Sequence, residues 1–134
     1  MIHDLWLMTN TEKTPFYDNL QEKMDEFVHA VYMHSKKFPK EELYGLTSQL
    51  RRSSLSVVLN FIEGYARIRS KVQINFYEIS YGSLQEAKYL VDFSFKENLI
   101  TKEIYNDLTD KADEIGAMLW GILRRMKRND NDLI

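Results

Sequence analysis

Apolar positions recur every three to four residues along four separate segments of the chain. The most distinctive segment runs from Phe38 to Arg67, and its repeating face consists of Leu43, Leu46, Leu50, Ser53, Val57, Asn60 and Gly64. The last segment keeps the spacing of a heptad repeat, through Ile104, Leu108, Ala112, Ile115, Leu119, Ile122 and Met126. Such spacing is typical of α-helices that turn one face towards other helices.

Proline and capping residues set the expected limits of the first two helices. Thr14 followed by Pro15 predicts the start of helix one, which continues to about Lys37. Residues 40–44 predict a short separate turn before Gly45. The pair Glu63-Gly64 predicts the end of helix two.

Polar residues mark the remaining boundaries. Ser70 is expected to be the N-cap of helix three, Asn98 its C-cap, and Thr101 the N-cap of helix four. No strand pattern competes, so the sequence predicts an all-α, antiparallel up-down-up-down four-helix bundle. The expected organisation is a flexible N-terminal arm at 1–13, the bundle at 14–128 and a C-terminal tail at 129–134.

Helix three carries more apolar residues than one buried face requires. A second stripe lies beside its main stripe, and helix two has a similar surplus. One interpretation is a subunit interface; the alternative is a wide core face from which tyrosine hydroxyls reach water. The expected interface residues are Leu55, Val58, Ile62, Ile74, Tyr77, Tyr81, Leu84 and Val91.

Composition narrows the classes of function. The chain of 134 residues has no Cys and a net charge of −2. Disulfides and thiolate metal sites are therefore excluded, and a surface that is basic throughout is not expected. There is no signal-peptide pattern and no apolar run of membrane-spanning length. We expect a cytoplasmic protein without a membrane partner.

Two clusters of cationic residues are expected to meet at one end of the bundle, because helices two and four end at the same pole. They consist of Arg67, Arg69, Lys71, Arg124, Arg125, Lys127 and Arg128, and they are offset in part by Glu63, Asp130 and Asp132. One interpretation is a pole that binds phosphates. The alternative is that cations near helix C-termini only complement the helix dipoles.

Few residues indicate chemistry. Glu26 and His29 form one Glu-x-x-His unit, but a di-iron site needs two such units and further carboxylates, so neither a metal nor another cofactor is expected.

Glu63 stands where a helix dipole disfavours an anion. It either has a cationic partner, Arg67 or one of the arginines at 51 and 52, or is solvated near a frayed end. An enzyme that uses Glu63 with one of those arginines is the least supported hypothesis.

Three glycines, Gly82, Gly116 and Gly121, lie inside expected helices, where each costs about 1 kcal/mol relative to alanine. Close approach of a neighbouring group is the expected reason. For Gly121, simple tolerance is an equally acceptable explanation.

Several motifs carry a resemblance to a known family. They are FPKEELYGLTSQLRR, which contains Arg51 and Arg52, then Asn60, Glu63-Gly64-Tyr65 and Arg67, and finally Gly82-Ser83-Leu84 with Glu86. In these residues the chain resembles the bacterial four-helix-bundle proteins encoded by intervening sequences within 23S ribosomal RNA genes. A similar bundle is the accessory variability protein of diversity-generating retroelements.

The resemblance implies an antiparallel bundle that assembles as a homopentamer and has no catalytic activity. It also implies nucleic-acid binding for relatives with strongly basic surfaces. This chain departs from the family pattern at Val58, Leu59, Ile62, Ala66 and Tyr81, and three of these changes add apolar bulk. Two functions therefore stay open: an oligomer that binds structured RNA or DNA through the basic pole, and an oligomeric scaffold that binds a protein and no nucleic acid.

Overall fold

Four helices in sequence form the bundle. The computed structural model describes the backbone of residues 15–132 and the side chains of residues 15–129. Its elements are α1 (Pro15–Ser35), a 3₁₀ turn (Lys40–Glu42), α2 (Leu46–Tyr65), α3 (Ser70–Lys96) and α4 (Lys102–Asp132). The expected arm, the Thr14 cap and the last two residues lie outside the described residues. The helix of the last segment continues past residue 128, where the tail was expected to begin.

The helices pack in the cyclic order α1, α2, α3, α4 and back to α1. Each helix therefore lies beside its neighbours in sequence, and α4 closes the bundle against α1. This arrangement confirms the all-α four-helix bundle that the periodicity predicted.

The core is a continuous apolar cluster with contributions from every helix. The heptad positions of α4 are confirmed, since Leu108, Ala112, Ile115, Leu119 and Ile122 are at most 1% exposed. Aromatic rings join α1, α2 and α3 near one end: Tyr17 stacks on Phe61, and Phe61 stacks on Tyr77. These ring contacts add to the free energy gained by burying the aromatic surface.

Local polar contacts fix the ends of the helices. Asn98 has a left-handed φ of 61°. Its N–H donates to the carbonyl of Phe95 (3.0 Å), and the N–H of Leu99 donates to that of Ser94 (2.9 Å), which is the Schellman pattern that ends α3. Thr101 caps α4 as predicted, since its Oγ1 accepts a hydrogen bond from the N–H of Ile104 (3.3 Å).

Three predicted boundaries are wrong. The C-cap of α3 is Glu97, and Asn98 is the residue after it. Ser70 is the first residue of α3 rather than its N-cap, which is Arg69 in an extended conformation (φ −80°, ψ 129°). Gly64 does not stop α2, because it lies inside the helix, which runs to Tyr65.

The expected separate turn before Gly45 is present, and Glu42 Oε2 accepts a hydrogen bond from the N–H of Leu46 (3.3 Å).

Half of the expected interface residues are in the core of the single chain. Ile74, Tyr77, Leu84 and Val91 are at most 7% exposed. The physical reason is the position of α3 between α2 and α4, which buries a wide arc of its surface. These four second-stripe residues therefore fit the alternative interpretation, a wide core face. That interpretation expected tyrosine hydroxyls to reach water, whereas Tyr77 is buried as a whole. Leu55, Val58 and Tyr81 are half-buried, and Ile62 is 39% exposed.

Candidate nucleic-acid interface

The fold brings the two cationic clusters to the same end of the bundle. Tyr17 at the start of α1 contacts Tyr65 at the end of α2, so these two ends lie together. Trp120 lies against Tyr81, with ring centroids 5.5 Å apart, and Lys127 pairs with Glu78. These contacts place the second half of α4 alongside the first half of α3. We call the cations at residues 67, 69, 71, 124, 125, 127 and 128 the basic pole.

Two cations of the basic pole are already paired. Arg67 forms an ion pair with Glu63, one helical turn earlier, and its guanidinium lies over the ring of Phe76 (5.2 Å from Cζ to the centroid). The expectation that Glu63 has a cationic partner is confirmed, and the partner is Arg67. Lys127 Nζ lies 3.3 Å from Glu78 Oε2. Such exposed pairs contribute about 0–1 kcal/mol each to stability.

The other five cations have no carboxylate within ion-pair distance among the side chains described. They are exposed to solvent, and they are Arg69, Lys71, Arg124, Arg125 and Arg128. The first turn of α3 contains no acidic residue, and its N-cap Arg69 makes no side-chain capping hydrogen bond. The positive end of the α3 dipole therefore adds to the charge of the pole.

A fully exposed isoleucine stands between the paired Arg67 and the unpaired Arg69. Ile68 is 98% exposed in the short connection between α2 and α3. It lines a shallow concavity together with Ala66, Arg67, Arg69 and Val72. Sequence reasoning missed Ile68, although an apolar residue between two arginines in a predicted turn was the available signal.

Arg51 of the first motif serves packing. Arg51 donates a hydrogen bond from Nε to Ser35 Oγ (2.8 Å) and lies over the ring of Tyr32 (4.7 Å), so it joins α2 to the end of α1. Glu63 is twelve positions further along the same helix, about 18 Å away at the helical rise. The structure therefore does not bring Glu63 together with Arg51.

Small and polar residues allow α2 and α3 to approach closely. Ser80 Oγ donates to the carbonyl of Val57 (2.6 Å), and the hydroxyls of Ser56 and Ser83 are 2.8 Å apart. Asn60 Nδ2 donates to both the carbonyl and the hydroxyl of Ser56 (2.9 Å each). Asn60 thus belongs to a hydrogen-bond network between the two helices.

Arg52 lines a polar cleft between α2 and α3. The other residues of this cleft are Gln49, Ser53, Ser56 and Glu86. Arg52 is exposed, and no ion pair joins it to Glu86 in the part of the chain that the structure describes. The cleft is far from the basic pole, because Arg52 lies in the first two turns of α2.

The Glu-x-x-His unit of Glu26 and His29 lies on the exposed surface of α1. His29 Nε2 lies 3.4 Å from Asp25 Oδ1, and the side chain of His29 is 77% exposed. Across the described residues, no group of three or more His, Asp or Glu side chains could hold a metal ion.

The outer surface of α2 and α3 exposes several large apolar side chains. They are Leu59 (59% exposed), Ile62 (39%), Ile79 (44%), Tyr89 (64%) and Phe93 (41%), and we call them the outer α2–α3 face. Gly82 also lies on this side of α3. Apart from its chain neighbours and the adjacent backbone of its own helix, no described atom comes within 4 Å of a Cβ placed there. The expected close approach at Gly82 is therefore not found within the chain. For Gly116 it is, since a Cβ would lie 3.4 Å from Leu84 Cδ2, whereas Gly121 has open space.

No helix of the described chain is both long and apolar enough to cross a membrane. Among curated proteins, none matches this chain. A crystal structure of a protein with unknown function from the S23 ribosomal protein family of Bacteroides thetaiotaomicron superposes with a TM-score of 0.71. It is 22% identical and covers 78% of this chain and 97% of its own, so this likeness supports the fold.

The family comparison agrees with the resemblance carried by the motifs. The family model described as 23S rRNA-intervening sequence protein matches residues 19–121. This range extends from the first turns of α1 to the middle of α4 and includes every motif residue named above. The chain therefore belongs to the 23S rRNA-intervening sequence protein family.

Proposed function

We propose that this protein is a non-enzymatic, self-associating bundle that binds structured RNA or DNA through the basic pole. The single observation that carries the proposal is the set of five exposed cations at one end, for which no described carboxylate is a partner. The chain as a whole has a net charge of −2. A concentrated positive end on a slightly acidic protein favours a polyanion at that end rather than all over the surface.

Phosphates are the ligands that suit these cations. Arginine, which supplies four of the five, forms two parallel hydrogen bonds to a phosphate. Each neutralised phosphate releases a counterion, and five contacts to duplex DNA give a slope of about −4.5 for log affinity against log salt. This electrostatic mode needs no catalytic group.

Self-association is supported by the outer α2–α3 face. Five large apolar side chains are exposed there on two adjacent helices, and an exposed apolar patch is typical of an interaction site. Gly82 leaves room for another chain to approach closely. The family resemblance implies a homopentamer, in which the basic pole would be repeated five times and would bind a polyanion with avidity.

Charge reversal tests the proposal against a matched control. The Arg124→Glu, Arg125→Glu, Arg128→Glu triple variant removes three of the five free cations. The control, Lys36→Glu, Lys37→Glu, Lys40→Glu, changes net charge equally at the opposite pole. Fluorescence anisotropy with a structured RNA should show binding lost in the first variant and little changed in the second. Equal binding by the first variant and the wild type would refute the basic pole as the site.

A protein-binding scaffold is the second candidate function, and the outer α2–α3 face favours it. In that case the protein partner covers the apolar residues and the cations only complement helix dipoles. This alternative predicts no salt-sensitive retention of RNA by the wild-type protein. It also predicts that a partner protein co-purifies and is lost in a Tyr89→Lys variant.

A further inference from the structure

Ile68 is the most exposed large apolar side chain described in the structure, at 98%. It lies at the tip of the connection between α2 and α3. Packing does not require an apolar residue at this position. Its neighbours in sequence, Arg67 and Arg69, are both cations at the basic pole. An apolar tip thus projects from the surface that we propose meets the phosphates.

The connection that carries Ile68 is held from both sides. Arg67 is fixed by Glu63 and by the ring of Phe76. The N–H of Arg67 donates to the carbonyl of Gly64 (3.1 Å), and that of Gln73 donates to the carbonyl of Arg69 (3.0 Å). The tip is therefore presented on an anchored turn, and little conformational entropy is lost when it contacts a partner.

The surroundings of Ile68 favour a nucleic acid over a lipid surface. Binding to a membrane by insertion requires a larger apolar area than one side chain supplies. Proteins that bind nucleic acids instead insert single apolar side chains, next to cations, between two stacked bases and so separate them.

We propose that Ile68 is a wedge that enters a weakened base step, while the five free cations hold the flanking phosphates. This inference rests on the proposed function and specifies its ligand: a helical nucleic acid interrupted by a bulge. Inserting a side chain costs unstacking energy, and the cost is lower where a bulge has already broken the stack. The wild-type protein should therefore prefer a bulged helix to a continuous one, by about tenfold.

The test compares two short RNA duplexes that differ only by a bulge in one strand, with the corresponding DNA pair as a second arm. The Ile68→Ser variant should bind the continuous duplex like the wild type and should lose the preference for the bulge. Its salt dependence should be unchanged, because no cation is removed. Ile68→Leu should retain the preference. Tyr44→Ser is the control, since Tyr44 is 93% exposed in the connection at the opposite pole.

Several results would overturn the wedge. They are an Ile68→Ser variant that keeps the preference, a wild type that binds both duplexes equally, or an Ile68→Ser variant with a smaller solution mass, which would place Ile68 between copies. Ile68-dependent binding to phosphatidylserine vesicles without a preference for the bulge would do so too. In each of these cases the basic pole can still bind nucleic acid. A wild type that binds neither duplex would refute the proposed function itself.

Discussion

A Cβ atom on Gly64 would lie 2.8 Å from Cε1 of Tyr77, a distance that real Cβ contacts do not show. The ring of Tyr77 therefore fills the space that a side chain at Gly64 would need, and α3 packs closely against α2 at this position. Phe76 Cβ closes the other side at 3.0 Å. The glycine of the family motif thus has a packing role at the basic end of the bundle.

The Gly64→Ala variant should destabilise the fold. Overpacking in a tight interface costs about 1–3 kcal/mol, and all but the lower end of this range exceeds the gain of about 1 kcal/mol from better helix propensity. The Gly82→Ala control should gain that propensity without a clash within the chain, because Gly82 has open space. Urea unfolding followed by circular dichroism measures both. A Gly64→Ala variant as stable as the wild type would show that α2 and α3 can separate at no cost.

Stability should decrease in alkaline solution because of Tyr77. Burial raises the pKa of its hydroxyl above the ordinary value, since an ionised oxygen would lose its hydration, and Tyr17 and Tyr65 act in the same direction. The unfolded chain loses this proton near pH 10 while the folded chain keeps it. The free energy of unfolding that Tyr77 contributes through its raised pKa is thus fully present below about pH 10. Above that pH it decreases by about 1.4 kcal/mol per pH unit.

Comparison with Tyr77→Phe isolates this effect. The phenylalanine variant cannot ionise at this position, so its free energy of unfolding should fall less steeply between about pH 10 and about pH 11. Urea titrations across this interval measure the two slopes. Identical slopes would mean that Tyr77 ionises as readily in the folded chain as in the unfolded one.

Charge on the outer α2–α3 face should reduce the size of the assembly. Leu59→Lys and Tyr89→Lys each place a cation among exposed apolar residues without disturbing the core, since Leu59 and Tyr89 are 59% and 64% exposed. Light scattering should detect smaller species than the wild type forms. Met33→Lys is the matched control, because Met33 is 57% exposed on α1, beside a cleft with residues of α4. If only the Met33 variant became smaller, the interface would lie on the α1–α4 side.

The order and approximate extents of the helices could be predicted, because the heptad in α4 and the cap at Thr101 are local signals. Their pairing could be predicted because short connections join consecutive helices. The side of α3 that becomes core could not be predicted in the same way. Two apolar stripes are compatible with either one wide core face or a core and an interface, and only the position of α3 between α2 and α4 decides between them. In the structure, Leu84 is in the core with 0% exposure, whereas Ile79 is 44% exposed.

The basic pole was partly accessible from the sequence. The topology of an up-down bundle was enough to bring Arg67 and Arg124 to one end. The sequence could not show which cations are neutralised. The pairs of Arg67 with Glu63 and of Lys127 with Glu78 depend on helix register and side-chain reach. The role of Gly64 was also hidden, since a glycine near the end of a helix is more often a stop signal than a contact point.

The salt dependence of RNA binding by the wild-type protein tests the central claim most directly. Log affinity for a structured RNA, plotted against log salt from about 50 to about 200 mM, should fall with a slope between about −3.5 and about −4.5 where one basic pole makes five phosphate contacts. The slope should be steeper where several poles of an assembly hold the same RNA. Binding that does not change across this range, or no binding at its lower end, would contradict the claim that the basic pole holds nucleic acid.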